Sequence, residues 1–231
     1  MNFTFGICTC YDSIPQLLAV VQSIKDLNIP EYEIILAGPL RQRIPEMPQV
    51  KYLWSTGWTP QKKNMISRHA QYENLVLFHD YFVFDKDWYT SYQQFGNEWD
   101  VCSNPQLLND GTRHFTDWVC WDSPVHPRYF SLPYDDWSHT KYQYQSGGYM
   151  IVKRDFFREN LFNESLVPGQ PEDVEWSLRI RDKARYVCNP GAIVRHNKAH
   201  RDARHDAYPF QQSEQPVAPQ GQFFTYNTMA R

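Results

Sequence analysis

The stretch Lys62–Tyr81, KKNMISRHAQYENLVLFHDY, decides the fold. Thr59-Pro60 just upstream supplies a helix start, because the N–H that proline lacks has no partner in the first helical turn anyway. Met65, Ile66, His69 and Ala70 then recur at helical spacing and predict an inward face. Asn74–Phe78, NLVLF, carries the apolar run Leu75–Phe78, the pattern of a strand covered on both sides. It stops at His79-Asp80-Tyr81, where a carboxylate meets the end of a buried strand. A helix feeding such a strand is a unit of a parallel, helix-covered sheet.

The chain before this unit repeats the alternation. Phe3–Cys10 reads as a buried strand and Asp12-Ser13 as a helix cap. Leu17, Leu18, Val21, Ile24 and Leu27 follow at helical spacing until Pro30. Tyr32–Ala37 is a second strand closed by Gly38-Pro39, and Val50–Trp54 a third. Alternating strands and helices imply an α/β fold with a mostly parallel central sheet flanked by helices. Such sheets bind ligands at the carboxyl ends of their strands, where Asp12 and His79-Asp80 fall. Beyond the unit, Phe95 to Tyr144 is rich in Trp, Tyr, Asp and Pro and reads as long loops and short strands. Ser146-Gly147-Gly148 leads into a strand, Tyr149–Val152, and a helix follows around Asp155–Asn160. Pro171-Glu172-Asp173 opens another helix, with Val174, Leu178 and Arg181 spaced along it. Tyr186–Cys188 and Ala192–Val194 are short strands. The expected organisation is a single domain over 1–208 and a Gln/Pro-rich tail over 209–231.

Composition narrows the function. The 231 residues carry 23 Lys and Arg against 26 Asp and Glu, a net charge of −3, which argues against a non-specific nucleic-acid binder. Hydrophobic residues at 42% exclude wholesale disorder, and 16% aromatic residues suffice for both a large core and a stacking pocket. The longest apolar runs, Leu17–Val21 and Leu75–Phe78, are too short to span a membrane. The N-terminus lacks a basic start and a leucine-rich stretch, and the cysteine count is odd at five. Both point to free thiols in a reducing compartment, the cytoplasm of a cell or of an infected host.

Several residues can carry chemistry. Asp80 at a strand end needs solvent, a partner or a metal. Glu172 and Asp173, with Glu175, open a helix, where the dipole favours them as caps and a spare carboxylate can serve as general base. His196, His200 and His205 have no cysteine pair at zinc-finger spacing nearby. Ser146-Gly147-Gly148 is not followed by the lysine of a P-loop, and no nucleophile elbow is visible. In Asn109–Asp122, NDGTRHFTDWVCWD, Arg113 and Asp117 suit a structural ion pair. The same loop suits sugar recognition, with Asp117 accepting from hydroxyls and Trp118 or Trp121 stacking on a sugar face.

Four pieces in order, Lys62–Tyr81, Ser146–Phe157 (SGGYMIVKRDFF), Pro171–Arg181 (PEDVEWSLRIR) and His196, resemble a GT-A fold glycosyltransferase, most closely glycosyltransferase family 2. The resemblance runs from Phe3 to His196 and implies an enzyme that moves a hexosyl or pentosyl group from a nucleotide-diphosphate donor to a hydroxyl acceptor. It implies a divalent cation, manganese or magnesium, held by Asp80, His79 and His196 against the diphosphate. It implies Asp173 as the base of an inverting displacement, supported by Glu172. Thr9 and Asp12 would meet the nucleoside. Lys63 and Asn64 would orient the nucleotide and the metal loop. Gly147 and Gly148 would admit the sugar or the acceptor close to the backbone. One departure stands out: relatives often read His-Asp-Asp where this chain has His79-Asp80-Tyr81. The acceptor is open among a glycan, a protein side chain, a small molecule and a modified nucleobase. The alternatives are a non-catalytic carbohydrate-binding module, or a nucleotidyltransferase-like enzyme, which would want a glycine-rich basic loop where Thr9-Cys10-Tyr11-Asp12-Ser13 stands.

Overall fold

A computed structural model describes residues 1–10, 13–40, 44–121, 123–124, 130–138 and 140–197. Asp12, His200, His205 and the tail over 209–231 lie outside them.

The strands are β1 (Phe3–Cys8), β2 (Tyr32–Gly38), β3 (Lys51–Trp54), β4 (Asn74–His79), β5 (Phe82–Phe84), β6 (Val101–Ser103) and β7 (Gln106–Leu107). They continue with β8 (Val119–Cys120), β9 (Phe130–Ser131), β10 (Gln143–Tyr144), β11 (Tyr149–Lys153), β12 (Tyr186–Cys188) and β13 (Val194–His196). The helices are α1 (Ile14–Lys25), α2 (Thr59–His69), α3 (Trp88–Phe95), α4 (Arg154–Glu159) and α5 (Glu172–Ile180). Seven strands form the central sheet in the order β12-β6-β11-β4-β1-β2-β3. All neighbours are parallel except β11, which runs antiparallel between β4 and β6.

Side-chain alternation along the strands divides the core into two layers. Phe3, Phe5, Ile7, Ile34, Leu36, Val76 and Phe78 face α1 and α3, whose Leu17, Val21, Trp88 and Tyr92 close that layer. Ile35, Ala37, Leu75, Leu77, Met150 and Val152 face α2, α4 and α5, through Ile66, Phe157, Trp176 and Ile180. Each large side chain buried this way contributes about 1.5–3 kcal/mol.

Two local expectations are corrected. In α2 the inward face carries Lys62, Lys63, Asn64, Ile66 and Ser67, whereas His69 is exposed and Met65 only half-buried. In α5 Leu178 is exposed and Trp176, Ser177 and Ile180 are buried. Polar side chains share the inward face of α2 with Ile66, and Trp176 leads the inward face of α5. The last strand also falls two residues later than expected, at Val194–His196 instead of Ala192–Val194.

Candidate active site

The reversal of β11 builds the site. A strand antiparallel to β4 begins where β4 ends, with Tyr149 opposite Phe78. The glycines just before Tyr149 therefore land beside His79-Asp80, and the His79 N–H donates to the Gly148 carbonyl at 3.0 Å. The N-terminus of α5 packs onto the same glycine loop. The Gly147 N–H donates to Asp173 Oδ2 at 2.9 Å, and the Tyr144 hydroxyl donates to that same oxygen. A Cβ at Gly147 would stand 2.9 Å from Glu172 Oε1 and 3.1 Å from Asp173 Oδ2, so the loop touches both carboxylates without a side chain between them. Strand end, glycine loop and acid pair, far apart in sequence, thus share one end of the sheet.

The electrostatics divide the pair. Burial and the neighbouring Asp173 charge push the Glu172 carboxyl up to about 7, with the Lys63 charge opposing. Asp173 is held by hydrogen bonds: two donors meet Oδ2, and the Val174 N–H meets Oδ1 at 2.9 Å. The start of α5 adds its dipole, which favours negative charge there.

The other residues expected at the site are placed as follows. Thr9 is buried: its N–H donates to Ala37 O, its carbonyl accepts from Lys62 Nζ, and its hydroxyl donates to Asp80 Oδ2. All three polar groups hold β1 to β2, α2 and Asp80, so Thr9 braces the strand end that carries Asp80. Asn64 is held by internal hydrogen bonds in the same way. Its amide nitrogen donates to Phe162 O and Glu164 Oε1, both at 2.9 Å, and its oxygen accepts the Phe162 N–H at 3.0 Å. It staples the loop after α4. Lys63 is fully buried beneath the glycine loop, its Nζ on the Gly147 carbonyl.

Asp117 and Trp118 are also corrected. Asp117 is fully buried and bonded to Arg113 Nε at 2.8 Å and Tyr134 Oη at 2.6 Å, the ion pair that the spacing suggested. Trp118 is 0% exposed, and its indole N–H donates to Asp136 O at 3.1 Å, so no ring face is open to a sugar.

His79, Asp80 and His196 do come to one region, because β13 pairs with β5 and sets His196 opposite Phe82. Among the described residues no three His, Cys, Asp or Glu side chains are grouped to hold a cation. The Tyr81 ring packs against both histidines, at 5.6 Å from His79 and 5.3 Å from His196. His196 is further stacked on His114 at 4.5 Å and edged by Phe82 at 4.5 Å. A phenol and ring packing occupy the place where a second carboxylate was expected.

Two contributors have no sequence signature. Tyr144 lies just before the glycine loop without any telling spacing, and Gln16 of α1 donates to the Asp80 carbonyl at 3.0 Å.

No family profile and no curated protein sequence matches the chain. Solved structures do. The TarS 1–349 structure from S. aureus in complex with UDP-GlcNAc superposes with a TM-score of 0.62 at 13% identity, over 87% of this chain and 60% of that one. GalNAc-T7 with UDP, GalNAc and Mn2+ superposes with a TM-score of 0.61 at 15% identity, over 85% of this chain and 43% of that one. Both are glycosyltransferases of GT-A type. The likeness establishes a GT-A fold, and this chain spans only part of either neighbour's length.

Proposed function

We propose that the protein is a glycosyltransferase that moves a sugar from a nucleotide-diphosphate donor to a hydroxyl acceptor with inversion. The observation that carries this reading is the Glu172–Asp173 pair. Two carboxylates at a helix start are aimed at a glycine loop on the carboxyl end of a GT-A sheet, and Asp173 is oriented by Tyr144 and Gly147. The solved relatives that hold UDP-GlcNAc or UDP support the choice of donor class.

In the proposed step Asp173 takes the proton of the acceptor hydroxyl as its oxygen attacks the anomeric carbon. The bond from that carbon to the donor's diphosphate oxygen breaks, and the nucleoside diphosphate leaves with the electron pair. Glu172, its carboxyl pushed up by burial and by Asp173, limits the charge beside Asp173 before the proton arrives. The described residues do not group to hold a cation, so no step is assigned to one. Five free thiols support a reducing compartment, the cytoplasm.

The test is a thermal-shift and calorimetric screen of the full chain with nucleotide sugars and nucleoside diphosphates, each in manganese and in chelator. The reading expects one nucleotide family to raise the melting temperature by mass action. Asp173→Asn is expected to keep that shift and lose donor turnover by about 10²–10⁴-fold, the contribution of a general base. Stabilisation by glycans and by no nucleotide would replace the enzyme with a carbohydrate-binding module.

A further inference from the structure

Lys63 is the buried charge that the proposed mechanism leaves unused. It is 0% exposed. Its ammonium donates to the Gly147 carbonyl, lies 3.8 Å from Met150 Sδ and sits 5.1 Å from the centre of the Phe162 ring. An apolar pocket of this kind disfavours a cation unless negative charge lies close by.

The facing groups supply it. Glu172 and Asp173 lie across the glycine loop on α5, Cys8 lies on β1, and Lys62 is the neighbouring cation on α2, with Tyr144 reaching Asp173 from β10. Burial pushes the Cys8 thiol up to about 11, so it stays neutral. The carboxylates are therefore the anions that answer Lys63. Both ends of Gly147 are clamped: its carbonyl by Lys63 and its N–H by Asp173.

We propose that Lys63 is a positioning residue for the acid pair: from beneath the glycine loop its ammonium holds the Gly147 carbonyl while Asp173 holds the Gly147 N–H, and its buried charge faces Glu172, without touching substrate. Calling the pair catalytic rests on the function proposed above; the charge coupling does not. The direction is consistent, since Lys63 draws the Glu172 carboxyl down against burial and Asp173. Burial pushes the Lys63 ammonium down, with Cys8, Glu172 and Asp173 opposing.

The experiment follows the Glu172 carboxyl carbon by NMR across pH in the full-length protein without donor, in wild type, Lys63→Gln and Lys63→Met. Lys63→Gln keeps a donor for the Gly147 carbonyl and removes the charge. Both variants are expected to raise the proton affinity of Glu172 about tenfold, the effect of removing one close opposite charge. A folded Lys63→Gln protein whose Glu172 titrates as in wild type would overturn the proposal, because a purely structural lysine leaves that titration unmoved. Where neither variant folds, each is combined with Glu172→Gln. Recovery of folding in the double variant supports the coupling, and no recovery overturns it. A chain that binds no nucleotide sugar yet shows the shifted titration would sink the donor assignment and leave Lys63 as proposed.

Discussion

Tyr144 and Asp173 meet across the gap between β10 and α5, the phenol donating to Asp173 Oδ2, the oxygen that also accepts the Gly147 N–H. With Oδ2 held by two donors, Oδ1 is the oxygen left with capacity for an incoming proton beyond its Val174 contact. Tyr144→Phe is expected to lower donor turnover about tenfold, the worth of one charge-assisted hydrogen bond of about 1.5 kcal/mol. Nucleotide affinity should stay as in wild type. Steady-state kinetics beside calorimetry separate the two, and an unchanged rate would remove Tyr144 from the site.

Gly147→Ala tests the closeness of loop and acids. The new Cβ would stand 2.9 Å from Glu172 Oε1 and 3.2 Å from Asp173 Cβ. The Glu172 side chain can swing away, whereas the Asp173 contact is near its backbone and must move the start of α5. Turnover is expected to fall by more than about tenfold, since small misplacements at reacting groups are costly. The melting temperature should fall by only a few degrees. Wild-type turnover in the alanine variant would refute the geometry.

Glu172 gives a pH dependence with a definite sign. Its carboxyl sits at about 7 in the folded chain, above the ordinary 4.5. Between those values the native state holds a proton that the unfolded chain has released, so this group's stabilisation is full below 4.5 and fades as pH rises towards 7. Glu172→Gln removes that slope. Denaturant titrations of both proteins across this window should show wild type losing stability relative to the variant as pH increases. Parallel curves would mean that Glu172 is not held up.

The Arg113–Asp117 pair predicts a stability effect away from the acid pair. Asp117 is fully buried and its carboxyl is pushed up by burial, with Arg113 and the Tyr134 hydroxyl opposing. Arg113→Met leaves that carboxylate with neutral donors only. The expected loss is about 3 kcal/mol, or roughly 10 °C in melting temperature. Adding Asp117→Asn should return part of it. A single variant as stable as wild type would contradict the pairing.

The elements of the first eighty residues were legible because their signals are local. Helical spacing in Leu17–Ile24, the apolar runs of β1 and β4, and Pro60 at a helix start each act within a few residues. The acid pair was legible too, as carboxylates at a helix start. The inward face of α2 was not: Lys62, Lys63 and Asn64 look like a solvated polar edge until their partners at Thr9, Gly147 and Phe162 are known. Trp118 read as a stacking platform and is core, because an aromatic residue in a loop carries no sign of which way it faces.

The amino-acid order by itself determined the alternation of strands and helices, the two-sided burial of the central strands and the presence of carboxylates at their ends, all consequences of periodicity and chain stiffness. Only the tertiary structure decided which polar groups line the site and which brace it from behind. The physical reason is the reversal of β11, which brings Gly147 over Lys63, 84 positions earlier in the chain, and under Asp173, 26 positions later. No local preference encodes either distance.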